Sequence, residues 1–343
     1  MKSIMPELIG NRALAAKIGQ EIISGGLSHA YIIGGAKGSG RHTLANLIAA
    51  SLACENKDRD DLPLPCHRCE HCRKIFSKIS PDVIVYGLED KASIGVETVR
   101  RLRTDILTPP NDLHVKVYII EDADKMTHQA QNAFLLTLEE PPQYVLFLLL
   151  CERPEDMLET VRSRAPILRT EPLSAEEIEK YLVGDEAIES LRKNSPNEFF
   201  EIVMASDGRI GKALELASPE HRSEILAARA HAKNFIEAVA GRPDASTLIS
   251  LVDEFPKARA DISVRINLIT SALRDLIVLK RSEDAPLCFY HDRDAAIDVS
   301  DRFTLSGLLS LYRACEDARK AILKNSNVKL TLTNLVIRGN HGK

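Results

Sequence analysis

At 343 residues the chain is long enough for about two or three domains, and its apolar fraction of 44% beside 27% charged residues can fill real cores under a soluble surface. A net charge of −4 excludes a general nucleic-acid sink, so any DNA contact has to come from a local patch or from partner chains. The longest apolar run, 144–151, is far too short to span a membrane and the N-terminus has no secretory pattern, so a cytoplasmic protein without membrane association is expected.

The first predicted strand, 30–33, is apolar and leads into Gly35-Ala36-Lys37-Gly38-Ser39-Gly40-Arg41-His42-Thr43, after which a helix is predicted over 44–53. Strand, glycine-rich loop and helix form the context of a phosphate-binding loop, but that pattern requires Lys and then Ser or Thr after its last glycine. Those places hold Arg41 and His42. A guanidinium is bulkier than the loop ammonium and planar, and imidazole is a poor substitute for a hard oxygen ligand of Mg²⁺. Thr43 would supply a hydroxyl only if the register slipped by one residue. The scaffold is kept while the groups that act on a nucleotide are gone, and a ligand-free strand-to-helix turn is the plainer alternative.

Four of the seven cysteines follow at once: Cys54, Cys66, Cys69 and Cys72, spaced C-x11-C-x2-C-x2-C. In a reducing compartment clustered thiols are metal ligands or core residues before they are disulfides. Four thiolates able to converge on a tetrahedron suit structural Zn²⁺, and they leave no open position for catalysis. Unligated thiols or a redox pair are the competing readings. His67 and His71 lie in the same segment but are surplus to a closed four-sulfur shell.

Further strands are predicted at 82–86, 115–120, 145–150 and 167–170, with helices at 96–107 and 127–138 between them. Near-continuous apolar strands alternating with helices argue for a parallel five-stranded α/β sheet covered on both faces. Arg100, Arg101 and Arg103 crowd the second helix. The turn Glu121-Asp122-Ala123-Asp124 reads as a solvated acidic turn or a metal site. Strand signals stop after residue 170. Ser174-Ala175-Glu176-Glu177 predicts a capping box, and short helices run to about Ala217. Beyond Pro219 the pattern is helical throughout, with stripes at Ile262, Ile266, Ile269, Leu273 and Leu276 and at Leu308, Leu311, Cys315, Ala318 and Ile322. Such stripes serve either this domain's own core or a neighbouring subunit.

Several of these segments resemble the bacterial DNA polymerase III clamp loader, across almost the whole chain. The cysteine cluster after a phosphate-loop helix is shared there by the gamma/tau ATPase subunit and the delta-prime subunit. Glu7-Leu8-Ile9-Gly10-Asn11 and Leu27-Ser28-His29-Ala30-Tyr31 resemble the family's N-terminal segments, and Lys116 through Asp124 its second acidic motif. Gln131-Asn132-Ala133 leading to Leu138-Glu139-Glu140-Pro141-Pro142 is highly specific to it. Ser163-Arg164-Ala165 sits where the family has Ser-Arg-Cys, and Asn325-Ser326-Asn327-Val328-Lys329-Leu330 resembles a segment of its collar domain.

The resemblance implies an AAA+ P-loop-type domain at 1–171 with a zinc module at 54–72, a helical lid at 172–218, and an all-α collar for oligomerisation at 219–343. The departures make the chain more similar to delta-prime than to the ATPase subunit. Arg41 and His42 stand in the loop, Glu121–Asp122 reverses the acidic pair, Cys151 and Glu152 replace hydroxyl residues at the sensor-one region, and Gly211 stands where the sensor-two arginine would be. The implied loop of Gly35, Gly38, Gly40, Arg41 and Thr43 is therefore degenerate, with ATP not bound or not hydrolysed and no intrinsic ATPase activity. Arg164 is the implied trans arginine finger, reaching a neighbour's ATP. Implied partners are the gamma/tau and delta subunits in a hetero-oligomeric ring of the polymerase III holoenzyme, the sliding clamp, and primer–template DNA through the complex. The arginines at 100, 101 and 103 would lie near that DNA, or form an ordinary solvated face. An active ATPase subunit with a variant loop, or an AAA+-derived scaffold in DNA repair, are the alternatives.

Overall fold

The computed structural model describes residues 2–88, 92–241, 243–282, 284–324 and 326–341. Asn325, part of the collar-like segment quoted above, lies outside the described residues, as do positions 342 and 343. The chain divides into two compact units, one of Met1–Tyr181 with Asp207–Lys212 and one of Leu182–Ser206 with Ala213–Lys343.

The first unit is built on a parallel sheet of β1 Ala30–Gly34, β2 Val83–Tyr86, β3 Lys116–Ile120, β4 Val145–Cys151 and β5 Ile167–Arg169, in the order β2-β3-β4-β1-β5. Every residue of β1, β3 and β4 is buried, because helices cover both faces and the apolar runs need no alternation. Tyr31 and Ile33 point into one core with Ile18, Leu44 and Ile48, while Ala30 and Ile32 point into the other with Val99, Leu102 and Phe134. Lys116 is the polar exception. Its ammonium donates to the carbonyls of Asp105 and Thr108 and pairs with the Asp105 carboxylate at 3.2 Å.

The helices of this part are α1 Arg12–Ser24, α2 Arg41–Ala53, α3 Glu70–Phe76, α4 Val96–Asp105, α5 His128–Glu139, α6 Glu159–Arg162 and α7 Ala175–Leu182. The expected capping box opens α7: the Ser174 N–H donates to the Glu177 carboxylate at 2.9 Å, and the Glu177 N–H to Ser174 Oγ at 3.2 Å. α1, α3 and the single-turn α6 are additions to the sequence reading. Thr127 Oγ1 caps α5 by accepting from the Ala130 N–H.

The chain continues through α8 Glu186–Asn194, α9 Pro196–Ala205, α10 Ile210–Ala217, α11 Pro219–Ala240, α12 Ala245–Asp253, α13 Arg259–Leu279, α14 Arg293–Asp301, α15 Leu305–Leu323 and α16 Val328–His341. Both helical stripes turn out to be this unit's own core. Ile262, Ile266, Ile269, Leu273 and Leu276 on α13 are fully buried with Leu308, Leu311 and Cys315 on α15. That decides between the two readings of the stripes in favour of intradomain packing.

Asp275 lies in this core with no exposed surface, and its carboxylate accepts the N–H groups of Cys288, Phe289 and Tyr290. Removing it strands buried donors, each costing about 1–3 kcal/mol. Asp275→Ala is therefore expected to destabilise this unit by on the order of 3 kcal/mol or more, read as a lower urea midpoint.

Candidate functional site

The glycine-rich loop leaves the carboxyl end of β1, between β4 and β5, which is where open parallel sheets place ligands. Gly38 and Gly40 have φ of 83° and 92°, a left-handed region that favours glycine, and Gly40 caps α2. The loop is also covered. The Gly211 N–H donates to the Gly38 carbonyl at 3.0 Å, and a Cβ on Gly211 would stand 2.8 Å from Gly38 Cα. A side chain at 211 is excluded by this approach, so glycine at this position is a packing requirement. Gly35 is equally tight: a Cβ would meet Thr170 Oγ1 at 2.0 Å.

The side chains at the start of α2 are engaged within the protein. Arg41 is buried at 6% exposure, with its Nη2 3.9 Å from Glu152 Oε1 and its Nη1 without a hydrogen-bond partner. His42 Nδ1 lies 3.3 Å from Glu121 Oε1. Thr43 is exposed. The acidic turn is structural in its contacts. Asp122 pairs with Lys125 at 3.3 Å, and Asp124 Oδ2 accepts the N–H groups of Glu152 and Arg153. Cys151 is fully buried; burial first, and then the charge of Asp124, pushes its thiol up to about 12.

Arg164 follows α6 and is about one-third exposed. Its Nη2 pairs with Glu139 Oε1 at 2.8 Å and its Nη1 donates to the Thr160 carbonyl at 3.0 Å. Glu139 is the last residue of α5, so the pair joins two motifs 25 residues apart. Sequence reasoning missed this partner, since no local spacing connects the two positions. Ala165 is fully buried, as a small packing residue should be.

The four cysteines converge. The Sγ atoms of Cys54, Cys66, Cys69 and Cys72 all lie within 4.8 Å of one another and all four residues are buried. Among the described residues no other group of cysteine, histidine and carboxylate ligands does this, and Cys151, Cys288 and Cys315 stand outside it. α3 starts at the site, with Cys69 Sγ accepting the Cys72 N–H, while Cys66 Sγ accepts from the Cys69 N–H and from Asn56 Nδ2. Burial pushes the Cys66 thiol up, but the Asn56 amide and the backbone N–H of Cys69 outweigh it and hold it below the usual range. N–H donors aimed at sulfur are what thiolate ligands need. The site can hold a tetrahedral metal ion. The two histidines are occupied elsewhere: His67 Nε2 pairs with Glu7 at 2.7 Å, and His71 Nδ1 contacts the Ala53 carbonyl at 2.9 Å.

Arg100, Arg101 and Arg103 are all exposed on α4, and Arg100 pairs with Glu97 at 3.4 Å. Among the described residues no helix is long and apolar enough to cross a membrane.

Comparison with known proteins gives two family models in register along the chain. Residues 10–174 match the model described as DNA polymerase III, delta subunit, and residues 228–341 match DNA polymerase III, delta subunit, C terminal. The gamma subunit of Buchnera aphidicola subsp. Schizaphis graminum is 30% identical over 67% of this chain and 61% of that protein. The gamma subunit of the Acyrthosiphon pisum strain is 31% identical over 51% of this chain and 47% of that protein. The delta-prime subunit of Bacillus subtilis is 26% identical over 91% of this chain and 90% of that protein. The chain thus spans about half to three-fifths of the two gamma subunits but nearly all of the delta-prime subunit. With both halves matched by consecutive models of one subunit type, the chain belongs to the family of DNA polymerase III clamp-loader subunits.

Proposed function

We propose that this chain is a delta-prime-like subunit that helps hold the clamp-loader ring together and lends Arg164 to the ATP site of a neighbouring gamma/tau subunit. The observation that carries the reading is the phosphate loop itself. Arg41 and His42 stand where the ammonium and the Mg²⁺-binding hydroxyl belong, and each lies against a carboxylate, of Glu152 and Glu121. Gly211 lies on the loop's backbone. By contrast Ser163–Arg164 keeps a guanidinium near the surface. The match over 90% of a delta-prime subunit supports the same choice between subunit types.

In this reading the AAA+ domain is 1–171, the lid 172–218 and the collar 219–343. Arg164 acts by placing a planar cation against oxygens that gain charge as a phosphoryl group leaves. Its pairing with Glu139 is no obstacle: both side chains are more than a third exposed, and such surface pairs are worth about 0–1 kcal/mol. A neighbour's phosphate offers more charge at the same guanidinium. The ring's other members would be gamma/tau and delta subunits, acting on a sliding clamp and primer–template DNA. Zn²⁺ is the metal the four-thiolate set fits, holding the 54–72 module with no open position for chemistry.

The isolated chain is expected to hydrolyse no MgATP above background. Phosphate release that disappears in a Gly40→Asp variant would instead establish an active gamma/tau-like ATPase, the reading favoured by the 30% identity to a gamma subunit.

A further inference from the structure

A cleft of ≈ 470 Å³ opens between α4 and α5, lined by Arg100, Arg103, Leu107, Leu136, Thr137 and Glu140 among others. Its lining includes no residue of the glycine-rich loop, none of the four cysteines and not Arg164 itself, although Glu140 follows the Glu139 that pairs with Arg164. Its composition is unusual for an open surface. Leu107 is 73% exposed and Leu136 59%, so two large apolar side chains on this face meet water. On the α4 side the cleft carries two exposed guanidiniums, those of Arg100 and Arg103.

We propose that this cleft is a docking site for an extended peptide segment of a protein partner, one that carries apolar side chains next to a single carboxylate. The apolar side chains cover Leu107 and Leu136. The carboxylate meets Arg103 and Arg100, the latter released from its exposed pair with Glu97. The charge pattern separates this ligand from a nucleic-acid strand. A phosphate backbone would answer the guanidiniums, but it leaves the two leucines in water, and Glu140 on the α5 side repels a run of negative charge. A lone carboxylate directed at the α4 side meets both requirements. Burying exposed leucines and desolvating an arginine pair are the contacts that dominate peptide recognition.

The test is fluorescence anisotropy of the full chain with a fluorescein-labelled peptide containing the run leucine-leucine-glutamate. Its lysine counterpart and a labelled primed DNA duplex serve as alternative ligands. The glutamate peptide should bind at least about ten-fold more tightly than the lysine peptide. Leu136→Asp and Arg103→Glu should each weaken it by about ten-fold or more. Leu136 and Arg103 are exposed, so their variants should keep the wild-type melting temperature. Equal affinity for the two peptides, no binding of either, or unaltered binding by the Leu136→Asp protein would overturn the proposal. So would binding of primed DNA that depends on Arg103 but not on Leu136, which would make the face a nucleic-acid surface.

Discussion

Replacing Cys72 by serine is expected to empty the four-cysteine site and to destabilise the sheet-containing unit by on the order of 3 kcal/mol or more. Cys72 has no exposed surface, and all four cysteines belong to the core that includes Leu44, Leu47 and Ile48 of α2. A serine hydroxyl there neither binds zinc as a thiolate does nor finds an apolar welcome. The effect should spread beyond the module. The Met5 N–H donates to the Leu64 carbonyl at 2.7 Å, the Leu64 N–H to the Ser3 carbonyl at 2.9 Å, and His67 pairs with Glu7. A module that loses its metal therefore loosens the first residues of the chain as well. Metal analysis of wild type should find about one zinc per chain, since four thiolates close one tetrahedral site. Cys315→Ser is the control. That residue is equally buried but in the helical unit, so its variant should lose stability while keeping the metal. Wild-type protein without zinc, and with all four thiols freely titratable, would show that the cluster is only a packed group of cysteines.

Much of this architecture was legible in the amino-acid sequence because burial on both faces writes strands as unbroken apolar runs. β1, β3 and β4 were visible for that reason, and β2 and β5 were found within about a residue at each end. Short helices were harder. α3 has only seven residues and is capped by Cys69, so its sequence was absorbed by the cysteine pattern. α1 was hidden for a different reason: Ala15, Ile18 and Ile22 make only a narrow stripe. At the site, residue types at fixed spacing were readable: the four cysteines, and the altered loop at Arg41 and His42. Contacts between distant segments were not. Neither the Glu139–Arg164 pair nor the packing of Gly211 on Gly38 leaves any local pattern, because each is made by the fold and not by neighbouring residues. The helical stripes of α13 and α15 had to wait for the structure too, since a buried face has the same period whether it meets its own domain or another chain.

The second large effect concerns Arg164. Arg164→Ala is expected to leave folding and assembly intact, because the side chain is partly exposed and gives up only surface contacts with Glu139 and Thr160. At the neighbouring ATP site the loss should be on the order of 4 kcal/mol, roughly a thousand-fold in rate, taking the lower end of arginine-finger effects. Arg164→Lys should also be impaired, since an ammonium cannot make the forked contacts of a guanidinium. Glu139→Ala should be nearly silent, because it only removes a partner that the arginine leaves on reaching a phosphate. Unaffected ATP sites in the ring will dilute the loss in a bulk assay, so each variant has to be compared in a complex of verified composition. The deciding measurement is steady-state ATP hydrolysis by the reconstituted loader with sliding clamp and primed DNA. A marked fall for Arg164→Ala, with wild-type assembly and a near-normal rate for Glu139→Ala, is the result expected of a chain that serves its neighbour's ATP site. An unchanged rate for Arg164→Ala in the fully assembled complex would contradict it and leave the chain a scaffold alone.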